Sequence, residues 1–319
     1  MPELRVDPLS GLRTIIAPKR AERPIEQASP GEPAEAHDPF APGHEDETPP
    51  QLYAFPEGGS PWQVRAFENL YPALDVRSSE PEQEAKPDLY TRFPASGSHE
   101  VIVNSSRAVS SLAELSVDEL SSAVEVWRLR MRQHAKAACL HLSVNEGHAG
   151  GASIPHTHAQ LYAFEFVPAL IARERERCGA YATRTMGGSL LGDLVQEEVR
   201  RGERIVAIDD DAVLLAPFAS WLPYQLLLAP RRPRPRFEDE GPSGAALLHD
   251  ALGRLARLHG GASPPLNLWV RTAPRGTEHF CWRIDILPRL SGLAGLELGT
   301  GVHLNSVAPE RAAGELRSA

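Results

Sequence analysis

At 319 residues, with 42% apolar content, the chain is long enough for two domains or one large one and has the material for a real core. A net charge of −9 without a long basic stripe argues against a nucleic-acid polymer as partner, since phosphate backbones are bound by clustered Lys and Arg; a small phosphorylated ligand gripped by a few arginines stays compatible. Cys139, Cys178 and Cys281 stand far apart with no paired motif, the start lacks the apolar core of a secretory signal, and no stretch approaches a membrane span, so the expectation is a soluble, cytoplasmic protein with free thiols and no membrane partner.

In chain order, a short strand is predicted at Arg13 to Ala17. From about Pro18 to Pro61 the chain is rich in Pro, Glu and Gly with little hydrophobic periodicity, which reads as a long surface excursion. Strand-like segments follow at Gln63 to Phe67 and Glu100 to Asn104. Ser116 opens a helix with Glu119 three residues on, a capping box. Leu120, Ala123, Val124, Trp127 and Met131 recur at helical spacing, so this helix covers a sheet. Strands at Leu140 to Val144 and Ala159 to Phe164 complete the first half.

A helical stretch near Pro168 to Arg201 leads to strands at Arg204 to Ile208, Ala212 to Ala216 and Gln225 to Ala229. A helix from about Ala245 to Leu258, stopped by Gly260, and strands at Leu266 to Arg271 and Phe280 to Leu287 follow. Strand, strand, helix, strand, strand thus occurs twice. The duplication predicts halves at 1–165 and 166–319, the second without the histidines of the first.

Chemistry concentrates in NEGHAGGASIPHTHAQ, Asn145 to Gln160. If a strand runs from Pro155 to Phe164, alternation puts His156, His158 and Gln160 on one face. Gly147, Gly150, Gly151 and Ser153 just upstream supply free N–H groups and a hydroxyl, the usual material of an anion cradle. A nucleophile beside a phosphate cradle points to phosphoryl or nucleotidyl chemistry. On spacing alone, however, HxH on a strand is more often a metal-ligand pair or a surface coincidence.

RVDPLSGLRTIIAPKRAERP, FENLYPAL, NEGHAGGASIPHTHAQ, LVQEEVRRGE with YQLLLAP, and ILPRLSGLAGLELGTG together resemble the galactose-1-phosphate uridylyltransferase family of the histidine-triad superfamily, over nearly the whole chain. The resemblance implies an α+β fold of two histidine-triad-like halves, antiparallel sheets flanked by helices. It implies transfer of a nucleoside monophosphate between phosphates through a nucleotidyl-histidine intermediate. His158 then matches the nucleophile and Gln160 the phosphate-binding glutamine. Asn145, Gly151, Ala152 and Ser153 match the phosphate contacts, and Arg20, Arg23 and Asn69 the nucleotide grip. Gly295, Leu296, Thr300 and Gly301 match a loop at the sugar end. Implied partners are a nucleotide sugar and a sugar phosphate, and a homodimer is expected.

Two departures bear on cofactors. The four positions that hold zinc in the family read Asp38, Ala41, Ala108 and His156 here, which leaves one clear ligand and one possible one, and two ligands cannot hold a structural zinc. At a second family metal site the glutamate is kept as Glu174, but three histidines have become Arg271, Cys281 and Arg283. The expectations are no metal cofactor, a Glu174 pair with Arg271 or Arg283 holding the two halves together, and His156 held by a hydrogen bond involving Asp38. Gly301 stands where the galactose enzymes carry an acidic sugar contact.

Uridylyl transfer between a UDP-sugar and a sugar 1-phosphate is the first reading. The alternatives are a phosphorylase of an ADP-sugar or dinucleoside polyphosphate, and a non-catalytic nucleotide-binding protein. Arg20 and Arg23 also fit a solvated turn, Asn69 a turn cap, and Cys281 an inert buried thiol.

Overall fold

The computed structural model describes residues 3–16, 37–58, 61–74, 95–239 and 241–319. Strands β1 (Glu3–Val6) and β2 (Arg13–Ile16) open the chain. The first half runs β3 (Gln51–Phe55), β4 (Val64–Glu68), β5 (Gly97–Val103), α1 (Val117–Gln133), β6 (Cys139–Glu146) and β7 (His158–Phe164). Helices α2 (Ala169–Thr185) and α3 (Leu190–Arg201) lead to β8 (Ile205–Ile208), β9 (Ala212–Leu215), β10 (Leu226–Pro230), α4 (Ala245–Leu258), β11 (Leu266–Arg271) and β12 (Arg283–Pro288). Helix α5 (Gly295–Thr300), β13 (Val302–Asn305) and α6 (Pro309–Ser318) close it.

Ten strands form one sheet in the order β3-β4-β5-β7-β6-β11-β12-β10-β9-β8, with antiparallel neighbours throughout. The order reads the same outward from the β6–β11 seam, so two five-stranded sets join edge to edge. Joining them removes an exposed edge from each. A small sheet, β1-β2-β13, lies apart, with β13 parallel to β2.

Alternation along β7 sends Ala159, Leu161 and Ala163 into a core shared with α1 and α4. Ser116 accepts from the Glu119 N–H and Glu119 returns the bond, so the expected capping box starts α1. Trp127, buried on α1, donates from Nε1 to Asn104 Oδ1 at 2.9 Å. A fully buried side chain of this size stabilises by ~1.5–3 kcal/mol. On the opposite face, Phe40, Trp62, Phe67, Val101 and Val103 cluster over the first half, and α2 and α3 cover the second.

Three expectations need correcting. The stretch from Pro18 to Pro61 is not all excursion, because residues 51–55 form edge strand β3, whose short apolar run is concealed by Pro49, Pro50 and Pro56. The helical stretch after Pro168 is two helices: Met186 turns left-handed at φ 57° ahead of Gly187 and Gly188, and Ser189 caps the next helix. The region from Gly295 to Gly301 is helix α5 with Gly301 as its cap rather than a loop. The three cysteines are free and buried, and among the described residues no helix is long and apolar enough to cross a membrane.

Candidate active site

His158 is the first residue of β7, opposite Val103 of β5. Alternation puts Gln160 and Tyr162 on its face of the sheet. Thr157 turns the other way and is held in the core, where Asn104 Nδ2 donates to its Oγ1 at 3.1 Å. Trp127 orients that asparagine, so the helix core fixes the backbone between the two histidines.

The His158 Nδ1–H donates to the His156 carbonyl at 2.9 Å. With the proton on Nδ1, the Nε2 lone pair is free. Burial, the largest cause, holds the His158 pKa below the ordinary histidine value, which keeps the ring neutral. The Phe40 ring meets it edge-on at 5.2 Å between centroids. The neighbourhood is therefore apolar, with one unprotonated nitrogen.

His156 lies ahead of the strand, contrary to the expected start at Pro155. Its Nε2 faces the Ser105 carbonyl at 2.7 Å and its Nδ1 faces Asp38 Oδ2 at 2.8 Å. The Ser105 carbonyl can only accept, so Nε2 donates to it, and Asp38 holds the other side of the ring. The expected contact with Asp38 is present. With Ala41 and Ala108 offering no donor atom, this position does not fit a zinc ion.

Gln160 is oriented by residues that the sequence did not single out. Its Oε1 accepts from Tyr162 Oη at 2.8 Å and lies 3.0 Å from His99 Nε2. Because the Ala73 N–H donates to His99 Nδ1 at 3.1 Å, the His99 proton sits on Nε2 and also points at Oε1. His99 stacks on Tyr162 at 4.1 Å between centroids, and burial lowers its pKa, so it too stays neutral. Two donors on the carbonyl oxygen leave the Gln160 amide NH2 as the outward group.

Between β6 and β7 the chain makes a tight turn at His148–Gly150, entered by Gly147 at φ 68° and left by Gly151 at φ 83°. A Cβ on Gly150 would fall 2.6 Å from the Leu266 carbonyl oxygen, so only glycine fits so close to β11. The N–H groups of Gly151 and Ala152 are not free as expected: they bond back to the carbonyls of His148 at 2.9 Å and Gly147 at 3.2 Å. Such internal bonds tighten a short turn that must reverse between neighbouring strands. Ser153 is exposed, and no hydrogen bond partners its hydroxyl among the described residues. Asn145 Oδ1 accepts from Asn267 Nδ2 at 2.7 Å, and the same amide reaches the Gly150 carbonyl at 2.7 Å. Arg289 donates to Asn267 Oδ1 at 2.8 Å, so the second half braces the turn across the β6–β11 seam.

Asn69 Oδ1 accepts from the Tyr71 N–H at 2.8 Å, the turn-capping geometry, and its Nδ2 lies 3.2 Å from His99 Nε2. Arg20 and Arg23 fall outside the described residues. Of the expected sugar-side group, Gly295, Leu296 and Thr300 are in α5 and Gly301 ends it, with Thr300 Oγ1 donating to the Leu296 carbonyl at 2.5 Å. Next to α5, His303 of β13 stacks on Trp221 at 4.7 Å, and Trp221 on Trp269 at 6.1 Å. Trp269 is opposite Ser143, which is opposite Gln160. A row of three rings therefore leads from β13 to the face of the sheet that carries Gln160.

At the second family metal position, Glu174 is bridged by Arg283, which donates from Nη1 to Oε1 and from Nη2 to Oε2, with Arg271 Nε 3.4 Å from Oε2. Arg283 also donates to Asp285 Oδ2 at 3.0 Å. The arginines hold the Glu174 pKa down against burial. The Cys281 thiol is pushed up to about 11 by burial, so no thiolate is offered, and two guanidiniums with a thiol do not fit a cation. The expected pairing is present, and it fastens α2 to β11 and β12.

The sequence model of the family described as galactose-1-phosphate uridyl transferase, N-terminal domain, matches residues 1–168. The chain is 28% identical over 336 residues to ADP-glucose phosphorylase of Arabidopsis thaliana, covering 99% of this chain and 92% of that protein. It is 25% identical over 344 residues to galactose-1-phosphate uridylyltransferase of Thermotoga maritima, covering 99% and 98%. Among solved structures it is similar to an ADP-glucose phosphorylase from Arabidopsis thaliana with bound ADP-glucose, with a TM-score of 0.84, 26% identity, and coverage of 100% of this chain and 99% of that one.

Proposed function

Because the chain belongs to the galactose-1-phosphate uridylyltransferase family and is a nucleotidyltransferase, we propose that His158 carries the transferred nucleoside monophosphate. In the first step Nε2 attacks the α-phosphorus of a nucleotide sugar; an N–P bond forms, the bridging P–O bond breaks, and the sugar 1-phosphate leaves with that electron pair. In the second step an oxygen of the acceptor phosphate attacks the same phosphorus, and the N–P bond returns its pair to Nε2.

The single observation that carries this reading is the His158 Nδ1–H bond to the His156 carbonyl, which leaves Nε2 as the reactive nitrogen. The Gln160 NH2 donates to a nonbridging oxygen as charge builds there. An amide shuttles no proton, which suits exchange between phosphate leaving groups that need none. Asn145 and the turn through Gly151, Ala152 and Ser153 line the phosphate side, Ser153 through its hydroxyl. Arg20, Arg23 and Asn69 act on the nucleotide, and Gly295, Leu296, Thr300 and Gly301 on the sugar. Residues 1–165 carry the chemistry and 166–319 are the degenerate copy. The reaction draws on neither family metal position, and the working unit is a homodimer in the cytoplasm.

Donors of two kinds fit. Uridylyl transfer from a UDP-sugar is the first; the similarity to a structure with bound ADP-glucose favours an ADP-sugar with inorganic phosphate as acceptor as the second. Incubation with UDP-glucose and ADP-glucose, each labelled in the α-phosphate, tests both: the true donor leaves acid-labile label on the wild type and none on His158→Gly. Equal exchange by His158→Gly sinks the nucleophile assignment.

A further inference from the structure

We propose that His37, His44 and Glu47 form a site for one divalent transition-metal ion of the zinc class, which pins the loop at residues 37–48 over His158. Their ligand atoms all lie within 4.8 Å of one another, and among the described residues no other trio of His, Cys, Asp or Glu does so. The site shares no residue with Asp38, Ala41, Ala108 and His156, where the resemblance implies zinc and the side chains do not fit it. It goes beyond the nucleotidyl-transfer reading and does not depend on it.

The local chain builds the trio. Residues Glu45–Glu47 make one 3-10 turn with His44 as its cap, and the Glu47 N–H bonds the His44 carbonyl at 3.0 Å. At three residues per turn, His44 and Glu47 project on the same side. The His37 ring stacks on His44 at 4.9 Å between centroids and 26° between planes, so the two imidazoles are held side by side. The His44 Nδ1–H donates to the Asp38 carbonyl at 2.7 Å, leaving the Nε2 lone pair for a metal, the usual way in which a protein fixes a ligating imidazole.

His37 Nε2 and Glu47 Oε2 share one hydrogen bond. Binding replaces that proton: the ion takes Nε2 of His37, Nε2 of His44 and a Glu47 oxygen, and the proton passes to solvent. Two imidazoles and a carboxylate suit zinc and leave a fourth position for water. With side-chain exposures of 63% for His37 and 39% for Glu47, the ion would exchange with solvent.

What the ion would hold is the wall of the active site. The same loop sends Asp38 to His156, the Phe40 ring to His158, and Glu45 Oε1 to Trp62 Nε1 at 2.7 Å. A cross-link between its beginning and its end restrains all three.

The test is zinc titration of the full chain, stripped by chelator, followed by calorimetry and elemental analysis, with cobalt(II) absorption as the probe of coordination. One zinc per chain is expected, with affinity lowered about tenfold or more in His37→Ala and in Glu47→Gln, and no stoichiometric zinc in the double variant. The wild type should gain thermal stability on zinc addition and the double variant should not. Both residues lie at the surface, and circular dichroism verifies that the variants fold. Failure of the wild type to bind, or unchanged affinity in the double variant, overturns the proposal. So does binding lost in Asp38→Asn but kept in the double variant.

Discussion

Glu146 ends β6 directly before the turn, is only 2% exposed and has no cation among its hydrogen-bond partners. Its Oε1 accepts from the Leu112 N–H at 2.6 Å and its Oε2 from Ser111 Oγ at 2.7 Å. Burial outweighs these bonds and raises its pKa from 4.5 to about 7. Between those values the folded chain holds a proton that the unfolded chain has released. The stabilising contribution is therefore complete below 4.5 and is lost as pH rises through about 7. At about 1.36 kcal/mol per tenfold change in proton affinity, the interval corresponds to roughly 3 kcal/mol. Glu146→Gln keeps both contacts, with the amide oxygen accepting from Leu112 and the amide nitrogen donating to Ser111, and has nothing to titrate. Urea unfolding of both proteins from pH 4 to 9 is the assay. His158 and His99, whose pKa values are lowered, contribute slopes of opposite sign near pH 6, but these cancel in the difference between the two proteins. Glu146→Gln should gain on the wild type by up to about 3 kcal/mol between pH 4.5 and 8. A difference flat across that range refutes the assignment of an uncompensated buried carboxyl.

Other outcomes follow from the same geometry. Because burial lowers the His158 pKa, single-turnover nucleotidylation should be level at neutral pH and fall only on the acid side of 6.5; a midpoint above 6.5 contradicts a neutral buried ring. His99→Phe removes one of the two donors on Gln160 Oε1 and should lower kcat about tenfold while donor KM stays near the wild type, and unchanged kcat counts against its orienting role. Glu174→Ala leaves Arg271 and Arg283 buried without their shared carboxylate and should cost about 3–5 kcal/mol in denaturant unfolding, with a loss below about 1 kcal/mol arguing against the network.

Several features were legible in the chain because they are local. The α1 capping box is written in Ser116 and Glu119, and β7 is written in the alternation of HAQLYAF. The duplicated order of elements could be read because each half repeats its hydrophobic period. Even the Glu174 pairing was legible, since a carboxylate kept while histidines become arginines implies its partners. Its geometry was not, because which arginine spans both carboxylate oxygens depends on how β12 lies against α2.

Sequence by itself determined the candidate unit, two histidines and a glutamine at alternate positions behind a glycine turn, because strand period and turn conformation depend on neighbouring residues. Only the tertiary structure decided what aims that unit. His99 reaches Gln160 because β5 and β7 are adjacent, 61 residues apart in the chain, and Asn267 and Arg289 brace the turn because β6 and β11 close one sheet. His37, His44 and Glu47 come together within one loop, yet that loop matters because its folding puts Phe40 against His158. Such contacts depend on which strands become neighbours, and that is set by the burial of the whole apolar face of the sheet, which no single segment encodes.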